Sequence, residues 1–271
     1  MFHLLKIEWL KYKNYRTFWI LLLLIAISIP AAIYMGYDAT DNAFPKNSKN
    51  MQQMLIGRPF SFPTIWHTAS WIASLVLFIP SLLIITTTTN EFTYKTHRQN
   101  IIDGLNRTQF IAVKIVEVIL LAIFVTLLVF LASLWVGNLA TESTDTHSIF
   151  ENVKQVGFFF IQALSYLMLA FLLSIWIKRA GLVLGIFFLY SIIAEQVIKV
   201  VLQRFVPGDP GRFLPLESTD QLLLSPFANI FKKPDEVQKW ESMLPVFLAL
   251  SAVYFLIYIF STAYLFRTKD L

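Results

Sequence analysis

The chain has 271 residues, of which 56% are hydrophobic and only 14% charged, with a mean hydropathy of +0.63; a soluble domain carries roughly a quarter charged residues. An ordinary water-soluble globule is therefore excluded, and the chain belongs in a lipid bilayer. The formal charge of +5 fits basic residues flanking membrane spans rather than a nucleic-acid partner, and the lack of cysteine excludes disulfides, thiolate metal sites and a cysteine nucleophile.

The first segment, 1–16 (MFHLLKIEWLKYKNYR), is too polar to span. At helical spacing Phe2, Leu5, Trp9 and Tyr12 share a face flanked by Lys6 and Lys13, which predicts a helix lying along the membrane surface. About 20 apolar residues, at a rise of 1.5 Å each, cross a hydrocarbon layer of about 30 Å. Six segments qualify: Thr17–Tyr37, Ile65–Thr89, Val113–Gly137, Val156–Ile177, Gly181–Leu202 and Leu244–Phe266. The first exceeds the roughly 7–15 apolar residues of a cleaved secretory signal, so it is expected to be retained.

Within the second span, Pro80 lacks an amide donor and predicts a kink, and Thr86–Thr89 can return hydroxyls to carbonyls one turn back. The fourth and fifth spans are joined only by a tight basic turn, Lys178-Arg179-Ala180-Gly181. The connection 203–243 contains Pro207, Pro210, Pro215, Pro226 and Pro234 between apolar stretches, which predicts short helices at the outer leaflet. No β alternation and no internal repeat is evident. The fold class is thus an all-α membrane protein, 1–271 forming one transmembrane domain of six helices with a surface helix before them.

Lys and Arg are densest at Lys6–Arg16, Lys95–Lys114, Lys178–Arg179 and Arg267–Lys269. By the positive-inside rule both termini face the cytoplasm of the cell membrane, and so does the polar stretch 90–112.

Enzyme signatures are missing. There is no phosphate-loop motif, no H-E-x-x-H and no G-x-S-x-G, and the four histidines are scattered. Charged residues inside spans carry more information, because each costs about 2.5–3.5 kcal/mol at mid-helix. Glu195 and Lys199 lie four apart on one face of the fifth span, either lining a pathway or neutralising one another near the outer interface. Glu117, close to Lys114, is expected at the inner interface.

The stretch from Asn90 to Phe110, NEFTYKTHRQNIIDGLNRTQF, is too long and too mixed for a plain turn. It reads as a short helix with an apolar and charged surface suited to another protein. Together with Lys114 it resembles the loop between the second and third spans of ABC type-2 exporter permeases. The matching positions are Glu91, Thr96, Gly104, Asn106, Arg107, Phe110 and Lys114. The amphipathic N-terminus, the six spans and the long connection before the last span agree with that family. The resemblance implies a coupling helix that docks on a separate ABC ATPase subunit, with Glu91, Thr96, Arg98, Gln99, Gly104, Arg107 and Phe110 as coupling residues. It also implies a second permease subunit, as a homodimer or a heterodimer, and ATP bound by the partner, with no cofactor in this chain. The alternatives from other classes are an intramembrane enzyme, for which Glu195 is the best candidate residue, and a secondary transporter or channel subunit.

Overall fold

The computed structural model describes residues 2–42, 58–96, 106–141, 149–206, 208–226 and 234–268. Every regular element among them is helical. Lipid offers no hydrogen-bond partners, so a spanning segment must close its backbone bonds within itself.

The N-terminal helix α1 (Phe2–Lys13) leads into α2 (Arg16–Asn42). Ile25, Ile29 and Ile33, spaced four apart, form the buried stripe of α2, whereas Ile20, Leu23, Leu24 and Ile27 point outward. Aliphatic side chains on both faces are what a helix between protein and lipid requires. Gly36 lets α2 approach the next helix, since a Cβ there would come within 2.7 Å of Ile72 Cδ1.

The second span is bent, as Pro80 predicts. It is two helices, α3 (Ile65–Ser74) and α4 (Phe78–Thr93), bent by 45°. The break falls at 75–77, one turn before Pro80 rather than at the proline itself. The pyrrolidine ring clashes with the carbonyl four residues back, that of Val76, so distortion accumulates ahead of the proline. Three-residue bonds bridge the break, among them Val76 N–H to the Ala73 carbonyl at 3.1 Å and Ile79 N–H to the Val76 carbonyl at 3.0 Å. As anticipated, Thr86, Thr87 and Thr89 donate to the carbonyls of Leu82, Leu83 and Ile85 at 2.8, 2.8 and 2.6 Å.

The third and fourth spans are α5 (Arg107–Ala140) and α6 (Lys154–Ile177). A tight turn follows, with Lys178 at φ 61° ending α6 and Arg179 extended. The fifth span is also irregular. It consists of α7 (Ala180–Leu189), a π-helical turn at Tyr190–Ala194, and α8 (Glu195–Phe205). A 3₁₀ turn at Pro210–Phe213 and the one-turn helix α9 (Glu217–Asp220) are the short helices of the connection, and residues 227–233 of that connection lie outside the described ones. The last span is α10 (Pro234–Thr268).

Among the described residues, α2, α5, α6, α10 and the continuous run from α7 to α8 are five helices long and apolar enough to cross a membrane, and six spans result if the bent α3–α4 pair counts as one. The chain is a multi-pass membrane protein. In α6, 61% of the most apolar window is buried, against 17% in α2. That places α6 at the centre, packed against α3, α4, α5, α7 and α10. Phe159, Ala163, Leu167, Met168, Ala170 and Phe171 supply the heart of the core.

Candidate functional site

At the α1 end of the bundle, the helices that bracket the 90–112 connection are held firmly. Asn106 caps α5: its side chain receives an amide of the first turn, and the Gln109 side chain accepts from the Asn106 N–H at 3.2 Å. One turn on, Phe110 is 1% exposed and stacks on Phe266 of α10 at 4.9 Å. Phe92 of α4 meets the same Phe266 ring edge-on at 6.5 Å, and the Lys178 ammonium lies 5.2 Å above Phe92. The ends of α4, α5, α6 and α10 thereby share one aromatic clamp.

Beside the clamp lies a buried cluster of charge. Lys114 Nζ, on a side chain 2% exposed, contacts Glu91 at 2.7 Å, Glu8 at 2.8 Å and Glu117 at 3.1 Å, and donates to Tyr12 Oη at 3.0 Å. Lys11 pairs with Glu8 at 2.6 Å and reaches Glu91 at 3.5 Å. The Tyr12 hydroxyl donates to Glu117 at 2.8 Å. Three carboxylates and two ammoniums from α1, α4 and α5 are thus interlocked, as the cost of burying a charge requires. For Glu8, burial alone would raise the carboxyl pKa. The Lys114 and Lys11 ammoniums outweigh it and hold the group below its ordinary value. Tyr12 moves the other way, pushed well above its usual range by burial and by the neighbouring carboxylates against the pull of Lys114. A groove of about 430 Å³ runs from this cluster between α1, α2, α4 and α5; Glu8, Tyr12, Thr87 and Glu117 stand in its otherwise apolar wall.

The residues expected to couple to a partner divide into three groups. Glu91 and Phe110 point inward, at 7% and 1% exposure. Thr96 follows α4, and Arg107 sits exposed in the first turn of α5. Arg98, Gln99 and Gly104 lie outside the described residues. On the N-terminal helix Trp9 is 52% exposed while Glu8 is buried. Sequence reasoning missed Glu8 and Lys11. The signal was present: Glu8, Lys11 and Tyr12 recur at three and four residues, a polar stripe on a helix next to apolar spans.

Residues 23–271 match the family described as a protein of unknown function, DUF2705. The chain belongs to the DUF2705 family. Among curated proteins none matches it. The DUF2705 match begins inside α2, so it takes in Glu91, Lys114 and Glu117 and leaves α1 ahead of it.

At the far end of this DUF2705 bundle, one of the two alternatives for Glu195 and Lys199, their mutual pairing, is not formed. Glu195 Oε1 accepts the backbone N–H groups of Leu216 and Glu217 at 2.8 and 3.1 Å, capping α9. Lys199 instead forms an ion pair with Glu217, which also accepts from Gln196 and Gln221. The helix spacing does bring the two residues to one face, but α9 folds back onto that face and offers each a better partner. The free N–H groups at a helix start draw the carboxylate, and the new carboxylate draws the lysine. Gly211 makes the approach possible, since a Cβ there would come within 2.9 Å of Lys199 Cα.

Proposed function

We propose that this protein is the membrane-spanning permease subunit of an ATP-driven exporter of the ABC type-2 class. It works as a pair, of identical or different subunits, in the cell membrane, with the α1 end facing the cytoplasm and separate ATPase subunits docked on the connection between α4 and α5. The observation that carries the reading is the anchoring of that connection. Near the end of α4 stand Glu91 and Phe92, in the first turn of α5 stands Phe110, and all three are locked into the charge cluster or the aromatic clamp. A push on a loop mounted in this way moves α1, α4, α5 and α10 as one body instead of bending the loop. Glu91 and Phe110 act in this scheme as the mounts, and Thr96 and Arg107 belong to the docking surface with Arg98, Gln99 and Gly104.

The test is reconstitution with the cognate ATPase. Arg107→Glu and Gly104→Trp are expected to abolish permease-stimulated ATP hydrolysis while membrane insertion stays intact; unchanged stimulation rejects the docking surface. One observation favours a second reading, a gradient-driven secondary transporter: the second span is broken at 75–77 and the fifth carries a π turn at Tyr190–Ala194, and broken helices often mark the binding sites of such transporters. Transport that persists without nucleotide and collapses with the ion gradient would select it.

A further inference from the structure

Toward the far end, a cavity of about 260 Å³ lies where the second and fifth spans meet α6 and α9. Ser74 and Phe78 border it on either side of the bend, Ser191 on the π turn, Gln162 and Tyr166 on α6, and Asp220 on α9. Its volume is that of on the order of eight waters, enough for a small organic group. A bend and a π turn facing one another are unusual in a close-packed bundle, and π turns inside helices often accompany function.

The polar side chains are incompletely satisfied. Gln162, only 3% exposed, donates its amide N–H to Asp220 Oδ1 at 2.7 Å. Its carbonyl oxygen has no hydrogen-bond donor among the described residues. Asp220 accepts further from Tyr166 Oη, at 3.0 and 3.1 Å to its two oxygens. Among the described residues the surroundings are rich in acceptors: Asp220 and Glu217 on α9 and Glu195 on α8 lie near one ammonium, Lys199, which is held by Glu217. The ligand that suits such a wall brings both hydrogen-bond donors and a positive charge. Trp71 and Phe78 add aromatic surface to the wall, which favours an organic cation over a bare metal ion.

We infer that this cavity receives an organic ammonium group, its N–H donors directed at the Gln162 carbonyl oxygen and the Asp220 carboxylate and its hydrocarbon part against Trp71 and Phe78. That the ammonium belongs to the exported molecule rests on the exporter reading; the binding itself does not. An ammonium could come from a small amine or from a lysine side chain of a peptide.

The experiment uses the full chain in detergent, with tryptophan fluorescence as the readout and phenethylammonium and its neutral counterpart 2-phenylethanol as probes. Phenethylammonium should bind at least tenfold more tightly than the alcohol at pH 8, and Asp220→Asn and Gln162→Leu should each weaken it about tenfold. Equal affinity for the two probes, no saturable binding of the ammonium, or wild-type affinity in Asp220→Asn would overturn the inference. Comparing two probes on the unaltered chain keeps the test valid even where a variant folds badly. An acetylated Gly-Lys-Gly amide in the same assay separates the sources: competition with phenethylammonium points to peptides, and none points to small amines. Amine binding by a chain that fails to stimulate an ATPase would sink the exporter reading alone, and stimulation without amine binding would sink this inference alone.

Discussion

Replacing Lys114 with methionine tests the claim that α1 is fastened to the bundle by buried charge. The substitution keeps length and flexibility but removes an ammonium that touches Glu8, Glu91 and Glu117 within 3.1 Å. Removing one partner of a buried ion pair costs about 3–5 kcal/mol, chiefly through the charge left behind. Here Glu8, Glu91 and Glu117 would lose the buried ammonium they share, and Lys11, which reaches Glu8 and Glu91, is 28% exposed. At about 2–4 °C per kcal/mol for a chain of this size class, the thermal midpoint should fall by on the order of 10 °C. Lys11→Met is the internal control. Its partly exposed pair with Glu8 contributes about 1 kcal/mol or less, so its midpoint should move by only a few degrees. Adding Glu8→Gln to Lys114→Met should recover part of the loss, since it removes one of the stranded charges. The assay is circular dichroism of the purified protein in detergent, with proteolysis near residue 15 as a probe of α1 docking. Equal midpoints for Lys114→Met and Lys11→Met would refute the reasoning, because Lys114 is buried among three carboxylates whereas Lys11 is partly exposed and reaches two.

The two ends should respond to acid in opposite senses. Glu8 is held below its ordinary pKa, so its contribution is present above the unfolded value and is lost as pH falls through the lowered one; Glu8→Gln should erase that acid-side loss in a melting series. Asp220 is pushed up to about 7 from 3.8, mainly by burial, so its contribution is fully present below about pH 4 and is lost as pH rises through 7. The span of that change is at most about 4 kcal/mol, and Asp220→Asn should flatten it; an unchanged profile in the variant would reject the assignment. At Glu195, glutamine keeps an acceptor for the two α9 amides, so Glu195→Gln should cost less than about 1 kcal/mol and Glu195→Leu about 1–3 kcal/mol. Similar losses for both variants would return Glu195 to an ionic partnership.

Hydropathy alone located the bundle, because lipid selects for unbroken apolar length whatever the packing. All six expected spans correspond to helical segments, the last within a much longer helix than anticipated, since Leu244 is followed by Pro245 and α10 nonetheless runs from Pro234 to Thr268. The tight turn at Lys178 and the threonine back-bonds were legible too, being local in the chain. Glu117 and Lys114, three residues apart on one helix, could be read as neighbours for the same reason. The bend of the second span was readable only in part: Pro80 announces a distortion, but where it settles depends on what packs around 75–77. The π turn at Tyr190–Ala194 left no sequence signal at all, having neither proline nor glycine within it.

Local sequence thus determined that this chain crosses the membrane as helices, and roughly where each helix lies. Which charges meet across elements was decided by tertiary structure alone. Glu8 reaches Lys114 across 106 residues, and Lys199 prefers Glu217 of a folded-back segment to Glu195 on its own helix. The physical reason is range. Helix formation and apolar transfer act residue by residue along the chain, whereas the energy of a buried charge is set by whatever partner the fold brings within about 3 Å of it.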